Sequence, residues 1–239
     1  MKARRVKKLD PAASLVENAA RIVKVRLDEM QGFAPAALDP SRERDQHDMR
    51  IAAKRLRYIL EATEDHFGRS AKVARRRARD LQDVLGEIHD CDVMLPRVDA
   101  HVGEQRARDA GAIHARAAGA PDLDPVLAAR APGRTSYRGL ELLAVYLQAR
   151  RAVLFDRFVE FWREQERLGT WERLDRAADR KLREARERRR AAERAAEARR
   201  RLADAERAER EAAERAREAA AQLLEARRAE DGGSAAPAG

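Results

Sequence analysis

Cationic side chains recur at helical spacing in the stretch HDMRIAAKRLRYILE, which covers residues 47–61. Intervals of three, four and three residues place four of these cations on one surface of an α-helix, with a fifth at its edge. A guanidinium offers two donors to one phosphate and an ammonium offers a compact charge, so this row suits a chain of phosphates. The alternative is a solvated basic face that has no ligand. The cations are His47, Arg50, Lys54, Arg57 and, at the edge, Arg55.

Weaker candidate cations lie on the expected neighbouring helices. Arg75 and Arg79 share one side of the next helix, where nearby acidic residues partly neutralise them. Lys24 is a further weak candidate on the first helix. A solvated basic surface explains these three positions as well as a ligand does.

Two arginines fall where helical periodicity expects an apolar residue. Arg26 lies among the apolar positions of the first expected helix, and Arg151 lies within a stripe of Leu and Phe side chains in a later one. A charge that faces a bundle interior needs a partner or a wet cavity. Either each arginine pairs with an acid, or both face a central basic channel.

Two His-Asp dipeptides, His47-Asp48 and His89-Asp90, raise the alternative of metal chemistry. Cys91 and Asp92 adjoin the second dipeptide, and His and carboxylate clusters can bind divalent metals. The sequence contains no His-x-x-x-His pair, phosphate loop, Gly-x-Ser-x-Gly motif or dinucleotide fingerprint. A metal-dependent phosphohydrolase therefore requires the two dipeptides to converge in the fold.

Helices must position these residues, because Ala, Arg and Glu dominate a chain of 239 residues that is only 4% aromatic. Apolar periodicity predicts an all-α helical bundle. Ser41 is the expected N-cap of the second helix, and a turn is expected at Asp90 and Asp92. The Gly- and Pro-containing segment 106–136 is predicted to be a mobile linker. The predicted helices cover 12–30, 41–66, 70–88, a short stretch after the turn that reaches 105, and 138–168.

The C-terminal part of the sequence has a different composition. Residues 172–230 contain no Pro and no Gly, and oppositely charged residues such as Glu184 and Arg188 lie four apart. Leucines are too sparse for a sustained heptad, which favours a solvated single helix over a coiled coil. We therefore predict a helical domain at 12–174, a long charged helix at 175–230 and a disordered end at 231–239.

The charge balance limits the classes of partner. A formal net charge of +9 favours polyanions, and the basic start without a following apolar stretch does not predict a signal peptide. No run of about 18 apolar residues occurs, so membrane insertion is not expected. A single cysteine, Cys91, suits a reducing compartment, so the predicted location is cytoplasmic.

The 47–61 stretch and AKVARRRARDLQDVLGEIHDCDVMLPRV, residues 71–98, resemble the CHAD domain, the conserved histidine α-helical domain. The resemblance rests on a His, an Arg three residues later, a Lys-Arg-Leu-Arg-Tyr run, and Leu-Gln-x-x-Leu-Gly followed by an Asp. It is strong over 12–98 and weaker over 139–174, where Arg150 and Arg151 lie in a helix of the expected kind. The resemblance implies a helical bundle that binds inorganic polyphosphate in a basic groove or pore, without catalysis.

Combining the residue pattern with the resemblance gives the predicted function and site. The protein is predicted to bind polyphosphate without a metal or cofactor, in the cytoplasm and in association with polyphosphate granules. Nucleic acid is the second choice of partner, although the low aromatic content disfavours base stacking. A metal-dependent phosphohydrolase and a purely structural helical protein are further alternatives. The predicted site comprises His47, Arg50, Lys54, Arg55, Arg57, Arg26, Arg150 and Arg151, with Lys24, Arg75 and Arg79 as weaker members.

Overall fold

The computed structural model of the protein describes residues 2–232. Within this range the secondary structure consists of seven α-helices, with no strand, which confirms the predicted all-α class. The helices are α1 Leu15–Gln31, α2 Ala34–Ala37, α3 Glu43–Phe67, α4 Arg69–Arg116, α5 Val126–Ala129, α6 Arg134–Arg167 and α7 Thr170–Gly232.

The described chain divides into two compact units, with the division between Arg183 and Glu184. In the first unit, α4 packs against α3 and α6, and α1 packs against α3. Apolar side chains at spacings of three and four on each helix form one shared core, which removes their surface from water. Its largest fully buried members include Leu56 and Leu60 of α3, Leu81 and Leu85 of α4, and Phe158 and Trp162 of α6.

The start of α7 belongs to the first unit. Trp171, Leu174 and Ala178 are buried in the core, and the indole rings of Trp162 and Trp171 stack with centroids 6.0 Å apart. The predicted domain boundary at 174 is therefore too early, because this apolar face continues beyond that residue. Of the predicted disordered end at 231–239, the first two residues are helical, and residues 233–239 lie outside the described part of the chain.

The side chains of the second unit are exposed at every position from 186 to 227. Ion pairs four residues apart lie along this part of α7, as between Arg201 and Glu197 at 2.6 Å. Each such exposed pair contributes only about 0.3–0.5 kcal/mol to a helix. Alanine-rich composition and many weak pairs together account for the helical conformation.

The N-cap that the sequence predicted for α3 is wrong. Ser41 Oγ donates to Asp39 Oδ1 at 2.7 Å, so the serine belongs to the preceding turn, and α3 begins at Glu43. Capping by a serine side chain occurs instead at α1, where Ser14 Oγ accepts from the Glu17 amide at 3.2 Å. At the other end of α3, Gly68 adopts a φ of +70° between α3 and α4. That left-handed backbone favours glycine.

The turn predicted at Asp90 and Asp92 does not exist, because α4 is continuous from Arg69 to Arg116. Its buried face passes without interruption through Leu85, Ile88 and Cys91 at intervals of three residues. Packing of that face outweighs the weak helix propensity of the two aspartates. Pro96 lies inside the helix and removes one backbone donor without ending it.

The linker predicted at 106–136 is also largely structured. Helix α4 extends to Arg116 and α6 begins at Arg134, so the non-helical backbone is limited to 117–125 and 130–133, on either side of α5. The buried Asp109 accepts from the Gly133 amide with its two carboxylate oxygens at 2.9 and 3.1 Å. This long-range contact fixes the segment, and no local sequence pattern indicates it.

Candidate anion-binding site

The face of α3 that carries the predicted cations lies opposite its buried face. Met49, Ala52 and Leu56 are fully buried in the core, whereas Arg50 and Lys54 are partly exposed. The helix period therefore places the cations at the surface, as the sequence predicted. What the sequence did not reveal is which of them has an acidic partner.

His47 packs against a second histidine, His89 of α4. The ring centroids are 4.3 Å apart and the rings are tilted by 45°. His47 Nδ1 is buried and has no hydrogen-bond partner within the described residues. Burial lowers the pKa of His47 below its ordinary 6.5, and the neighbouring His89 lowers it further. The imidazole is therefore largely neutral at pH 7.5, with one unsatisfied ring nitrogen.

Arg50 lies over a glycine of α4. A Cβ built on Gly86 would stand 3.3 Å from Arg50 Nε, so the missing side chain makes room for the guanidinium. The Nε atom is buried without a hydrogen-bond partner, and no residue in the described range forms an ion pair with this arginine. A buried unsatisfied donor on a cation is costly and is uncommon in folded proteins.

Lys54 is, after Arg50, the second cation on this face that forms no ion pair in the described part of the chain. Its ammonium lies 5.7 Å from the centroid of the Tyr58 ring, and the Arg57 guanidinium lies 4.6 Å from the same centroid. Tyr58 is half exposed. Cation–π contacts at such an exposed site contribute about 0.5–1 kcal/mol and leave the ammonium free to bind an anion.

The other predicted cations of α1 and α3 are neutralised. Glu29 is completely buried and pairs with Arg26 Nη1 at 2.6 Å and Arg55 Nη1 at 3.0 Å. Arg57 pairs with Glu61 at 2.6 Å and donates to Gln82 at 3.1 Å. For Arg26, the structure therefore selects the paired alternative over the basic channel.

The two arginines of α6 are neutralised as well. Arg151 pairs with Asp92 of α4 and donates to Gln46 of α3 at 3.0 Å. Arg150 pairs with Glu87 and lies 3.6 Å from Cys91 Sγ. These contacts connect α6 to α3 and α4 close to His47 and Arg50. Both arginines therefore stabilise the packing of these helices and have acidic partners of their own.

The weaker candidates also have acidic partners. Lys24 lies between Asp175 and Asp179 of α7, at 2.6 and 2.8 Å. Arg75 pairs with Glu64 at 2.6 Å, and Arg79 has a longer contact of 3.8 Å to Asp83. None of these contacts brings Lys24, Arg75 or Arg79 to the histidine pair.

The structure thus reduces eleven predicted positions to three cationic or titratable groups without an acidic partner in the described range: His47, Arg50 and Lys54. It adds two residues that the site prediction omitted, His89 and Gly86. In the sequence, His89 is a candidate only for metal binding. It lies 42 positions after His47, and that separation does not indicate contact between the two rings. Gly86 lies inside a helix, where glycine is unfavourable. That unfavourable position is the feature of the sequence that could have indicated its role.

The structure fulfils only part of what the metal-dependent phosphohydrolase alternative requires. The histidines of the two His-Asp dipeptides do converge. However, in the part of the chain that the structure describes, no group of three or more His, Cys, Asp or Glu side chains is arranged to hold a metal ion. Two imidazoles alone fall short of the three protein ligands typical of a catalytic zinc site.

Comparison with known proteins finds a matching family for the N-terminal part of the chain. The family model of the CHAD domain matches residues 2–99, which include α1, α2, α3 and the part of α4 that bears Gly86 and His89. No curated protein and no solved structure matches the chain. No helix in the described residues is long and apolar enough to cross a membrane. Residues 2–99 therefore match the CHAD domain, and this domain is associated with polyphosphate-related proteins.

Proposed function

We propose that this protein binds inorganic polyphosphate through the α3 face formed by His47, Arg50 and Lys54, and that it does so without catalysis. The observation that carries the proposal is the uneven neutralisation of the cations. Neighbouring arginines form ion pairs with carboxylates, whereas these three groups form no ion pair among the described residues. Because Arg50 and Lys54 are partly exposed, they can bind phosphate oxygens without first breaking an ion pair.

The spacing of the three groups suits successive phosphates. Positions 47, 50 and 54 rise along α3 by about 10 Å in total, at ~1.5 Å per residue. Arg50 would supply charge-assisted hydrogen bonds, and Lys54 would supply a point charge beside it. The paired arginines around them keep α1, α3, α4 and α6 in register, so the face is preorganised before the ligand arrives.

Single-stranded nucleic acid is the second candidate ligand, and Tyr58 is the observation that favours it. This ring is half exposed and lies beside Lys54 and Arg57. An aromatic ring next to cations can stack a base while the cations bind the backbone. Only one such ring adjoins the α3 face in the described residues, which fits a phosphate polymer better than a series of bases.

A competition titration tests the ligand class. Labelled long-chain polyphosphate bound to the full chain should be displaced by unlabelled polyphosphate at lower phosphate concentration than by duplex DNA or single-stranded RNA. Binding should weaken steeply with salt, because contacts to phosphate release counterions. Equal or stronger competition by single-stranded RNA, lost on replacing Tyr58 with Ala, would instead favour the nucleic-acid function.

Absence of catalysis is a separate prediction. The full chain incubated with polyphosphate or nucleotides and Mg²⁺, Mn²⁺ or Zn²⁺ should release no phosphate above the protein-free background. The reason is that, among the described residues, the two converging imidazoles are not joined by the third protein ligand that a catalytic zinc site typically has. Phosphate release that disappears in His89→Gln would contradict this prediction and support the phosphohydrolase alternative.

Binding should also be coupled to uptake of a proton. Without ligand, burial and His89 keep the pKa of His47 below 6.5, so its neutral form dominates above that pH. A phosphate beside the ring adds negative charge to a site otherwise faced by His89 of α4 and by Asp48 and Arg50 of α3, and it raises the pKa. Affinity should therefore increase as pH falls from 8 to 6. Calorimetry in two buffers of different ionisation enthalpy measures the uptake, and an equal uptake by His47→Gln would contradict the assignment.

Gly86→Ala should raise the stability of the fold and lower the affinity for polyphosphate. Alanine inside a helix is more stable than glycine by about 0.5–1 kcal/mol. The new Cβ would displace the Arg50 guanidinium by a few tenths of an ångström. We expect a higher melting temperature together with polyphosphate affinity reduced roughly fivefold, about 1 kcal/mol. Gly103→Ala on the same helix is the matched control, since a Cβ there meets nothing within 4 Å, and it should gain stability without losing affinity.

A further inference from the structure

Helix α6 carries an exposed apolar stripe on the side that faces away from the core. Leu142, Val145, Tyr146 and Val153 are 66%, 62%, 59% and 60% exposed. Together with Ala149 they lie within about 100° of one another around the helix axis. The opposite side of α6 bears the core residues Leu154, Phe158 and Trp162. The stripe is therefore a second apolar face of this helix.

An apolar face of this kind differs from scattered exposed side chains. Single surface hydrophobics are normal, but a contiguous row marks an interaction surface. The row from position 142 to position 153 extends about 16 Å along the helix, at ~1.5 Å per residue.

Charges at the two ends of the stripe are opposite in sign. Arg134 and Arg138 precede it, Asp156 and Glu160 follow it, and all four are exposed. Arg138, Asp156 and Glu160 have no ion-pair partner among the residues that the structure describes. Arg157 and Arg163 are also exposed at the second end, so complementarity to an antiparallel second copy depends on two specific pairs, Arg138 with Asp156 and Arg134 with Glu160. In the parallel orientation, like charges would meet.

The register of such a pair follows from the spacing. Suppose that a two-fold axis crosses the stripe at the height of position 147. Each residue then faces the residue of the second copy for which the two residue numbers add up to 294. Arg138 then faces Asp156 of the second copy, Arg134 faces Glu160, and Val145 faces Ala149. The apolar rows meet between the two pairs of charges. A closed two-fold contact of this type uses the same surface on both chains.

We propose that this protein forms a homodimer through an antiparallel contact of the two α6 stripes. The partner is a second copy of the chain, because the same surface supplies both the apolar row and the complementary charges. The dimer does not depend on the polyphosphate site, since no residue of the stripe belongs to the α3 face.

Sedimentation velocity of the full chain over a range of concentrations tests the dimer. Replacing Leu142, Tyr146 and Val153 with Gln should weaken self-association by at least on the order of a hundredfold, because each change occurs twice in the contact. The matched control replaces Leu202, Leu223 and Leu224 of α7, which are 62%, 69% and 59% exposed. A monomeric wild type, or dissociation by the α7 control but not by the stripe variant, would overturn the proposal.

Charge reversal tests the register. Arg138→Asp should weaken dimerisation on the order of tenfold, and Asp156→Arg should do the same, because each creates two like-charge contacts across the axis. The double variant should recover wild-type association, since both pairs are restored with reversed sign. Failure of the double variant to recover would overturn the antiparallel arrangement. The positions are exposed, so the helical circular dichroism of all three proteins should match the wild type.

Discussion

Replacing Arg50 and Lys54 together with Gln should reduce polyphosphate affinity on the order of a hundredfold. Charge-assisted hydrogen bonds contribute about 1.5–3 kcal/mol each in favourable cases, and neighbouring contacts do not add fully. A loss of roughly 3 kcal/mol for the pair is therefore the expectation, which corresponds to that change in the dissociation constant. The salt dependence of binding should become shallower as well, because fewer counterions are released.

The matched control removes the same charge from another place. Arg194 and Arg207 of α7 are exposed, and like Arg50 and Lys54 they have no ion-pair partner in the described residues. Replacing both with Gln changes the net charge equally and should weaken binding only slightly, because these side chains are not proposed to contact phosphate and salt screens long-range attraction. Titration of both variants with the same polyphosphate decides the matter. Equal losses would mean that long-range attraction, and not the α3 face, binds the polymer.

The site variant should not lose stability. Arg50 Nε is a buried donor without a partner in the described part of the chain, so its removal relieves a desolvation cost. We expect the free energy of unfolding to stay the same or to increase, as measured by urea denaturation. A residue whose removal stabilises the fold but abolishes binding has its function in the ligand complex.

The sequence predicted the fold class and the buried side of α3 correctly because both depend on local periodicity. Apolar residues such as Met49 and Leu56 repeat at the helix period, so the direction of the cations on the opposite side follows from their spacing. The continuity of α4 does not follow from local signals, because two aspartates and a proline interrupt its helix-forming residues. Leu85, Ile88 and Cys91 continue that face at helical spacing, and burial overrides local propensity.

Which cations remain available could not be predicted, because their partners are distant in sequence. Glu29 reaches Arg55 across 26 positions, Asp92 reaches Arg151 across 59, and Asp175 reaches Lys24 across 151. These pairs join α1 to α3, α4 to α6 and α1 to the start of α7, so only tertiary packing creates them. Periodicity assigns a residue to a face of its own helix, but it does not identify the residue of another helix that will lie opposite.

Glu29→Gln should be strongly destabilising, with a loss of about 3 kcal/mol in the free energy of unfolding. The carboxylate is fully buried and binds two guanidiniums, from Arg26 and Arg55, and it also accepts from the Arg4 amide at 3.1 Å. A neutral amide of the same size removes the negative charge that both partly buried guanidiniums contact. Removing one partner of a buried ion pair typically costs 3–5 kcal/mol, and the lower end applies here because both arginines retain some contact with water.

Asp28→Asn is the control for this prediction, because it removes the same charge from the adjacent position. The Asp28 side chain is 77% exposed, and its partner Arg4 is 51% exposed, so this ion pair lies in water. Exposed pairs contribute little, and the variant should remain within about 0.5 kcal/mol of the wild type. Urea denaturation of the two variants measures the difference directly. If both lose the same small amount, Glu29 is a surface partner like its neighbour. A large loss confined to Glu29→Gln means that Arg26 and Arg55 are bound within the fold and are not available to a phosphate polymer.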